Sequence, residues 1–318
     1  MSAAAFYCVA DERYFLGAVG MINSLRLQGH DEAVYVLDCG LTADQRALLE
    51  PETTVVAGDS TPPWLSKTVA PLLHPAEVMV LIDVDMIVTR PLDSLIELAD
   101  GDRVVAFEND RQRHFAEWGD LLGLAEPRAQ PYVSSGLVFC GGNSGRQALD
   151  LLAEKQQLVD FERTFARAAE PGYPFFYPEQ DVLNAILAAA VEVDRTVALA
   201  NQLAPNPPFD RLRIVDLAGL RVVDRDGAAP YVLHQYVRKP WLEPMYHGVY
   251  SRLLSRLLLG EDVAIRVPSD QVPARMRAGL RAAARRWAVN VVDLGRWHLT
   301  ERRSSRARGG GGARKVDR

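Results

Sequence analysis

The most uniformly apolar strand predicted for this chain is Val78-Met79-Val80-Leu81-Ile82, and it runs directly into Asp83-Val84-Asp85. A continuous apolar run of this length is typical of a strand buried on both faces of a parallel sheet. Side chains two positions apart in a strand point to the same side, so we expect the two carboxylates to lie together. A divalent cation would offset the free-energy cost of burying both acids. Taken alone, the pattern fits a strand-end turn with solvated aspartates better than a metal site.

Short strands and helical patterns alternate on both sides of this run, which predicts an α/β fold with a mostly parallel sheet. We expect further strands at 6–10, 33–37, 53–56, 104–107, 132–140 and 229–236. We expect helices at 15–29, after Thr42 as N-cap, at 145–170 and at 180–190. Ligands of such sheets bind at the carboxyl ends of the strands, which is where the pattern places Asp11 and Asp83.

The composition is that of an ordinary globular protein, with 318 residues, 48% hydrophobic and 24% charged. No run approaches the roughly 20 apolar residues that span a bilayer, and the start lacks the basic residues of a signal peptide, so we expect a cytoplasmic location. The three cysteines are far apart, each in or beside an apolar run: Cys8, Cys39 and Cys140. This spacing fits neither a disulfide framework nor a zinc site, so we expect reduced packing residues.

The charge is distributed unevenly along the chain. Residues 271–318 hold 13 Arg and Lys against three Asp and Glu, so this part carries +10 and the remainder −15. Apolar residues share one helical face of the basic part: Met276, Leu280, Ala283, Trp287 and Val291. We therefore predict a catalytic domain over 1–268, a basic amphipathic helical segment over 269–301 and a disordered basic tail over 302–318.

Two interpretations of the basic helix remain open. It can lie on an anionic membrane, as a peripheral element on the inner face of the cell membrane, or it can pack on the catalytic domain with a solvated arginine face. Nucleic acid is disfavoured as a partner, because the body of the chain is acidic and no binding module is recognisable.

A second group of chemically useful residues follows the last predicted strand. His234 comes directly after an apolar tripeptide and precedes Lys239-Pro240-Trp241. An imidazole can be the third ligand of a metal such as Mn²⁺, and an ammonium supplies a point charge for phosphate oxygens. A single histidine at such a place is more often a hydrogen-bonded packing residue, but Asp83 and Asp85 shift the balance towards a pyrophosphate site.

The order of the motifs resembles glycosyltransferase family 8: Asp11, Lys67, Asp83-Val84-Asp85, Ser135-Gly136, Glu179-Gln180-Asp181, and His234 with Lys239-Pro240-Trp241. This family consists of retaining enzymes, among them glycogenin and bacterial lipopolysaccharide galactosyltransferases. The resemblance covers about residues 6–245. It implies a GT-A (Rossmann-like) mixed, mostly parallel sheet flanked by helices, and transfer of a hexose from a UDP-sugar to a glycan or lipid-linked acceptor.

The resemblance also implies a role for each matching residue. The ligands of Mn²⁺ or Mg²⁺ would be Asp83, Asp85 and His234. The contacts of the nucleotide-sugar donor would come from Asp11, Tyr14, Lys67, Val84, Ser134, Ser135, Gly136 and Lys239. Within this set, Asp11 and Tyr14 would contact the uracil and ribose, and Lys239 would contact the diphosphate. The catalytic candidates would be Glu179, Gln180 and Asp181, with the glutamine near the anomeric carbon.

Several features depart from the family pattern or leave alternatives. Ser134-Ser135-Gly136 stands where the family often has Asn-Ala-Gly, and Glu179 replaces an aspartate, so the identity of the sugar stays open. Lys67 is alternatively an exposed helix lysine. Among enzymes, an inverting GT-A transferase or a nucleotidyltransferase would also use Asp-x-Asp. Outside enzymes, the alternative is an inactive sugar-nucleotide-binding or membrane-adaptor protein.

Overall fold

The structure is a computed structural model, and it describes residues 4–58, 62–243, 248–274, 276 and 277. Within them, the strands are β1 (Ala4–Ala10), β2 (Ala33–Asp38), β3 (Thr54–Ala57), β4 (Val78–Ile82), β5 (Met86–Val88), β6 (Val104–Glu108), β7 (Val133–Gly141), β8 (Thr196–Leu199), β9 (Arg213–Asp216), β10 (Arg221–Val223) and β11 (Val232–His234). The α-helices are α1 (Phe15–Leu27), α2 (Ala43–Leu49), α3 (Val69–Leu73), α4 (Asp93–Asp100), α5 (Trp118–Leu122), α6 (Gly142–Lys155), α7 (Pro178–Ala189) and α8 (Val249–Leu259).

Seven of these strands form one sheet in the order β3-β2-β1-β4-β7-β6-β8. All neighbours in it are parallel except β7, which runs antiparallel to both β4 and β6. The amino end of β7 therefore lies beside the carboxyl ends of β4 and β6. The predicted mixed, mostly parallel sheet flanked by helices is confirmed.

The sheet is buried on both faces, because helices cover each side. Alternate residues of β1 belong to two different core clusters: Ala4, Phe6, Cys8 and Ala10 pack on one side, Ala5 and Tyr7 on the other. The first cluster includes side chains of α1 and α8, and the second those of α6 and α7. Burial on both faces explains why the central strands are apolar throughout instead of alternating with polar residues.

Most of the predicted elements are found within a few residues of their expected bounds. Thr42 is the N-cap of α2, where its side chain accepts a hydrogen bond from the Gln45 backbone while Gln45 returns one to the Thr42 backbone. This reciprocal capping box supplies partners for amide groups that have none inside the helix. Asp11 follows β1 and Asp83 follows β4, so both lie at carboxyl ends of parallel strands as expected.

The helix predicted over 145–170 is wrong beyond Lys155. The chain continues as short 3₁₀ turns, Gln156–Leu158 and Phe161–Arg163, and then as an irregular aromatic segment up to α7. Here Phe165 N donates to Phe176 O at 3.0 Å, a contact that a straight helix could not make. The Phe165 ring also packs against Phe176 and Tyr177, so the segment folds back on itself instead of continuing α6.

The strand predicted over 229–236 is shorter and pairs elsewhere than expected. Only Val232–His234 is a strand, and it pairs antiparallel with β5 instead of joining the main sheet. The β5 strand was not anticipated, because the Asp83-Val84-Asp85 segment before it contains no glycine or proline that would mark a turn. Asp83-Val84-Asp85 is consequently a turn between two strands, not part of a pleated strand.

The C-terminal part of the described chain packs on the body. Asn23 of α1 donates to Leu257 O and Ile265 O and accepts from Ile265 N, all at 2.8–2.9 Å. Val272 and Met276 are buried in the same core cluster. Residues 269–274 and 276–277 form turns and bends, consistent with Pro273, which lacks the amide proton a helix needs. The remainder of the predicted basic segment, and the whole predicted tail over 302–318, lie outside the described residues.

None of the helices among the described residues is long and apolar enough to cross a membrane.

Candidate active site

A cleft of about 670 Å³ opens at the edge of the sheet where β1 and β4 end and β7 begins. Thirteen of the fourteen site residues expected from the sequence line it: Asp11, Tyr14, Lys67, Asp83, Val84, Asp85, Ser134, Ser135, Gly136, Glu179, Gln180, His234 and Lys239. They come from segments far apart in sequence, and the sheet brings them to one edge. The exception is Asp181.

The turn after β4 and the β5–β11 pairing create the cluster of possible metal ligands. Met86 N donates to Asp83 O at 3.1 Å, which closes the turn. Because His234 is paired with Met86 in the β5–β11 ribbon, its ring lies beside the turn. One ligand atom each of Asp83, Asp85 and His234 lies within 4.8 Å of the others, and the described residues contain no other such group of three. The carboxylates do converge, but through a turn and not through the pleat of a strand.

Asp85 is the most enclosed acid of this cluster. Its Oδ2 lies 2.5 Å from Nζ of Lys239, which also donates to Gln235 O, and its Oδ1 lies 3.1 Å from Nε2 of His234. Burial would raise the pKa of Asp85, but the His234 and Lys239 charges outweigh this effect and hold the pKa well below its usual range. Asp85 is therefore an ionised carboxylate at neutral pH.

Asp85 Oδ1 and His234 Nε2 face each other without a hydrogen bond. The oxygen is fully buried and has no hydrogen-bond partner, although the nitrogen is only 3.1 Å away. Nε2 is also 3.6 Å from Asp83 Oδ2. A buried carboxylate oxygen that lacks a hydrogen-bond donor and lies this close to an imidazole nitrogen fits a pair of ligands for one cation.

Lys67 joins two acids on the other side of the cleft. Its Nζ lies 2.6 Å from Asp83 Oδ1 and 2.9 Å from Glu179 Oε2. Burial lowers the pKa of Lys67, but Asp83 and Glu179 outweigh this and raise it above its usual value. Burial raises the pKa of Glu179 to about 7, against the opposing effect of Lys67. The alternative of an exposed helix lysine is wrong, since the Lys67 side chain is only 16% exposed.

Gly136 is required by the close approach of β7 to the ligand cluster. A Cβ at this position would lie 2.8 Å from His234 Cε1, 2.6 Å from Met86 Cε and 3.1 Å from Asp83 Oδ2. Gly136 O also accepts from Asp83 N at 2.8 Å, which fixes the start of the turn. Any side chain here would displace the histidine or the aspartate.

The turn after β1 also lines the cleft. Asp11 accepts a hydrogen bond from Tyr14 N at 2.9 Å. The Tyr14 ring lies edge-on to Trp241, whose Nε1 donates to Arg13 O at 2.8 Å. Gly17 keeps this region compact, because a Cβ there would lie 2.6 Å from Val84 O. This turn therefore places the Tyr14 ring and the Asp11 carboxylate together at the cleft.

Asp181 does not line the cleft, contrary to its expected role as a catalytic group. Its side chain is fully buried and accepts from Arg113, Tyr132 and Tyr177 N. Its neighbour Gln180 does line the cleft, because α7 turns successive side chains by about 100°. Two adjacent residues of one motif therefore have different surroundings.

Some cleft residues were not anticipated from the sequence. The aromatic residues Trp64, Phe165 and Tyr177 also line the cleft, as does the buried Cys8. The aromatic residues carry no periodic pattern that distinguishes them from core residues. The one sequence feature that could have indicated a cleft residue was the position of Trp64, three residues before Lys67.

The chain resembles known proteins in structure and not in sequence. No family profile and no curated protein sequence matches the chain. The solved structure of an active-site glutamine-to-glutamate mutant of LgtC superposes with a TM-score of 0.53 at 15% identity, covering 84% of this chain and 98% of LgtC. The galactosyltransferase LgtC in complex with donor and acceptor sugar analogs gives 0.51 at 16% identity, with the same coverage.

The bifunctional glycosyltransferase WbbM, in its apo form, gives a TM-score of 0.52 at 13% identity, over 83% of this chain and 50% of WbbM. The chain has the GT-A fold. At such identities the likeness establishes the fold, and the cleft lies where the strands of a GT-A sheet end.

Proposed function

We propose that this chain is a metal-dependent glycosyltransferase that transfers a hexose from a UDP-sugar to a glycan or lipid-linked acceptor, with retention of anomeric configuration. The observation that carries the proposal is the convergence of Asp83, Asp85 and His234 in the cleft of a GT-A fold. LgtC, which has this fold, was solved with donor and acceptor sugar analogs, and this supports the two kinds of ligand.

The three residues suit a divalent cation. Carboxylate oxygens and an imidazole nitrogen are ligands of Mn²⁺, and Mg²⁺ accepts the oxygens. The buried Asp85 Oδ1 without a hydrogen bond supports the assignment. The bound cation would neutralise negative charge on the diphosphate as the nucleotide leaves.

The residues around the cluster would each bind a different part of the donor. Asp11 and Tyr14, at one end of the cleft, would hold the ribose and uracil. Lys239 would meet the diphosphate, because its ammonium already lies at the cluster, 2.5 Å from Asp85 Oδ2. The sugar would then lie beside Lys67 and residues 134–136 of β7, which adjoin each other, since Lys67 Nζ donates to Ser135 O at 3.4 Å.

The groups beside the proposed sugar site favour a displacement without a strong nucleophile. Glu179 is held by Lys67 at 2.9 Å, so its carboxylate is not free to attack. The neighbouring Gln180 presents an amide, which can stabilise a developing positive charge without trapping the sugar. A glutamine is also an active-site residue of LgtC. Such a site supports departure of the nucleotide and arrival of the acceptor on the same face, and hence retention.

A screen of nucleotide sugars for Mn²⁺-dependent hydrolysis tests the proposal and identifies the donor. Asp85→Asn should abolish turnover and calorimetric Mn²⁺ binding, whereas Asp150→Asn, at an exposed aspartate of α6, should change neither. Unchanged turnover in Asp85→Asn would remove the metal assignment. An inverted product anomer would favour an inverting transferase, and donor binding without turnover a non-enzyme. Release of pyrophosphate from a nucleoside triphosphate and a sugar 1-phosphate, in a separate assay, would favour a nucleotidyltransferase.

We further propose that the basic C-terminal residues bring the enzyme to an anionic membrane that carries its acceptor. The +10 charge of residues 271–318 supports this, against −15 for the rest of the chain. To test this, residues 278–318 should be removed. A truncation directly after Pro268 would also remove Val272 and Met276, which belong to the core. The truncated protein should fail to sediment with vesicles rich in anionic lipid, and equal sedimentation would refute the proposal.

A further inference from the structure

Both ends of the Gln180 side-chain amide are held by the protein. Its Oε1 accepts a hydrogen bond from Ser135 N at 3.2 Å, and its Nε2 donates to the Tyr132 hydroxyl at 3.0 Å. Asn184, one turn further along α7, bonds both Val133 backbone groups and Gln180 O at 2.7–2.8 Å. The helix and β7 are therefore fixed to each other at the point where Gln180 enters the cleft.

The Tyr132 hydroxyl determines which end of the amide faces it. It has one proton, which it donates to Asp181 Oδ1 at 2.6 Å. Burial, and then the Asp181 charge, raise the pKa of Tyr132 well above its usual value, so the hydroxyl keeps this proton. Its oxygen can then only accept from Gln180. A flipped amide would place two acceptors together at Tyr132 and two donors together at Ser135 N.

Asp181 is itself fixed as an acceptor. Its two oxygens accept from Arg113 Nε at 2.8 Å, from Arg113 Nη2 at 3.2 Å and from Tyr177 N at 2.7 Å, besides Tyr132. All its partners are donors, so a protonated carboxyl would have no acceptor for its proton. Burial raises the pKa of Asp181, and the hydrogen bonds from Arg113 and Tyr132 oppose that rise. Hydrogen bonds are therefore donated from Ser135 N to Gln180, from Gln180 to Tyr132 and from Tyr132 to Asp181. Arg113 donates to Asp181 from the other side.

We propose that Tyr132 and Asp181 are positioning residues that hold the Gln180 amide with its carbonyl oxygen on the Ser135 side of the cleft. The catalytic consequence rests on the proposed function: the oxygen, not the amine, would face the positive charge that develops on the donor sugar. A preorganised dipole stabilises such charge without reorganisation during the reaction. The donor in its ground state lacks this charge, so the effect belongs to kcat more than to KM.

A double-mutant cycle tests whether Tyr132 acts through Gln180. We expect Tyr132→Phe to lower kcat about 10-fold and to change the donor KM by less than about 2-fold. In a Gln180→Ala background the same change should have no further effect, because the group being positioned is gone. Tyr231→Phe is the matched control, since its hydroxyl bonds Ser94 outside the cleft. An unchanged kcat in Tyr132→Phe, or an equal loss in both backgrounds, would overturn the proposal.

A second measurement is independent of activity. In protein labelled with ¹⁵N-glutamine, the Gln180 amide signal is the one missing from Gln180→Glu. Its protons should exchange slowly with water in the wild type and faster in Tyr132→Phe, or in Asp181→Asn if the first variant does not fold. Equal exchange rates in the wild type and the variant would overturn the positioning role, whether or not the wild type turns over a donor. A lack of turnover by the wild type would overturn only the proposed function.

Discussion

Nζ of Lys239 lies 2.5 Å from Oδ2 of Asp85, so the carboxylate that we propose as a metal ligand is paired with a lysine ammonium. The same Asp85 faces His234 with its other oxygen. In the described residues, the acids of the cluster are thus neutralised by cations of the protein itself, because Lys67 likewise pairs with Asp83. Binding of a metal and a diphosphate would redistribute these pairs, with Lys239 moving from a carboxylate to a phosphate.

Lys239→Met should therefore have opposite effects on metal and nucleotide. Removing the ammonium leaves Asp85 with more negative potential, so Mn²⁺ should bind about 10-fold more tightly without nucleotide. Binding of the nucleoside diphosphate should weaken, because the ammonium for its phosphates is missing. Calorimetric titrations with Mn²⁺ alone and with UDP in excess Mn²⁺ separate the two effects, and Lys155→Met on α6 is the control. Weaker binding of Mn²⁺ alone would contradict the exchange.

Gly136→Ala should damage the metal site by displacement. The new Cβ would lie 2.8 Å from His234 Cε1, and the ring cannot bend away as the Met86 side chain can. We expect Mn²⁺ affinity to fall at least about 10-fold, as for loss of a group that orients a ligand. Gly172→Ala is the matched control, since a Cβ there meets nothing within 4 Å. Equal Mn²⁺ affinity in the two variants would disprove the steric requirement.

Glu179 should make stability depend on pH between about 4.5 and 7. Burial raises the pKa of Glu179 from 4.5 to about 7, so within this range the folded protein retains a proton that the unfolded chain releases. Since the folded state then binds more protons, the contribution of this group to stability falls as pH rises through the range and is constant above it.

Urea unfolding of metal-free protein at several pH values measures this dependence. The difference in unfolding free energy between the wild type and Glu179→Gln should decrease from pH 4.5 to 7. Glu154→Gln, at an exposed position, should give a difference that is constant over the same range. A constant difference for Glu179→Gln as well would show that its carboxyl is not perturbed in the folded protein.

Asn23→Ala should destabilise the whole domain. The change removes three hydrogen bonds at once and leaves Leu257 O, Ile265 O and Ile265 N buried without that partner. Unsatisfied buried polar groups cost about 1–3 kcal/mol each, so we expect a loss of about 3 kcal/mol or more in unfolding free energy. Asn143→Ala, at an exposed position of α6, should change it little. A loss below about 1 kcal/mol would show that the C-terminal segment is anchored by its apolar contacts alone.

Local sequence signals predicted the elements well where periodicity and capping agree. The β4 strand is apolar throughout, and the Thr42 capping box needs only residues three apart. The helix expected after residue 155 is absent because the chain folds back there, so that Phe165 packs on Phe176 and their backbones share a hydrogen bond. Periodicity cannot report a competition that depends on partners from elsewhere in the chain.

The sequence by itself determined which chemical groups the site contains and their order: the acids after β1 and β4, the glycine in β7, the amide on α7, and the histidine and lysine after β11. Those choices are local, since each needs only a strand end and a residue type. Tertiary structure alone decided how the groups meet. The β5–β11 pairing sets His234 against Asp85, and Arg113 and the buried Tyr132 turn Asp181 from a catalytic candidate into support for Gln180. Such relationships depend on strand pairing and burial between residues far apart in sequence, which no local pattern encodes.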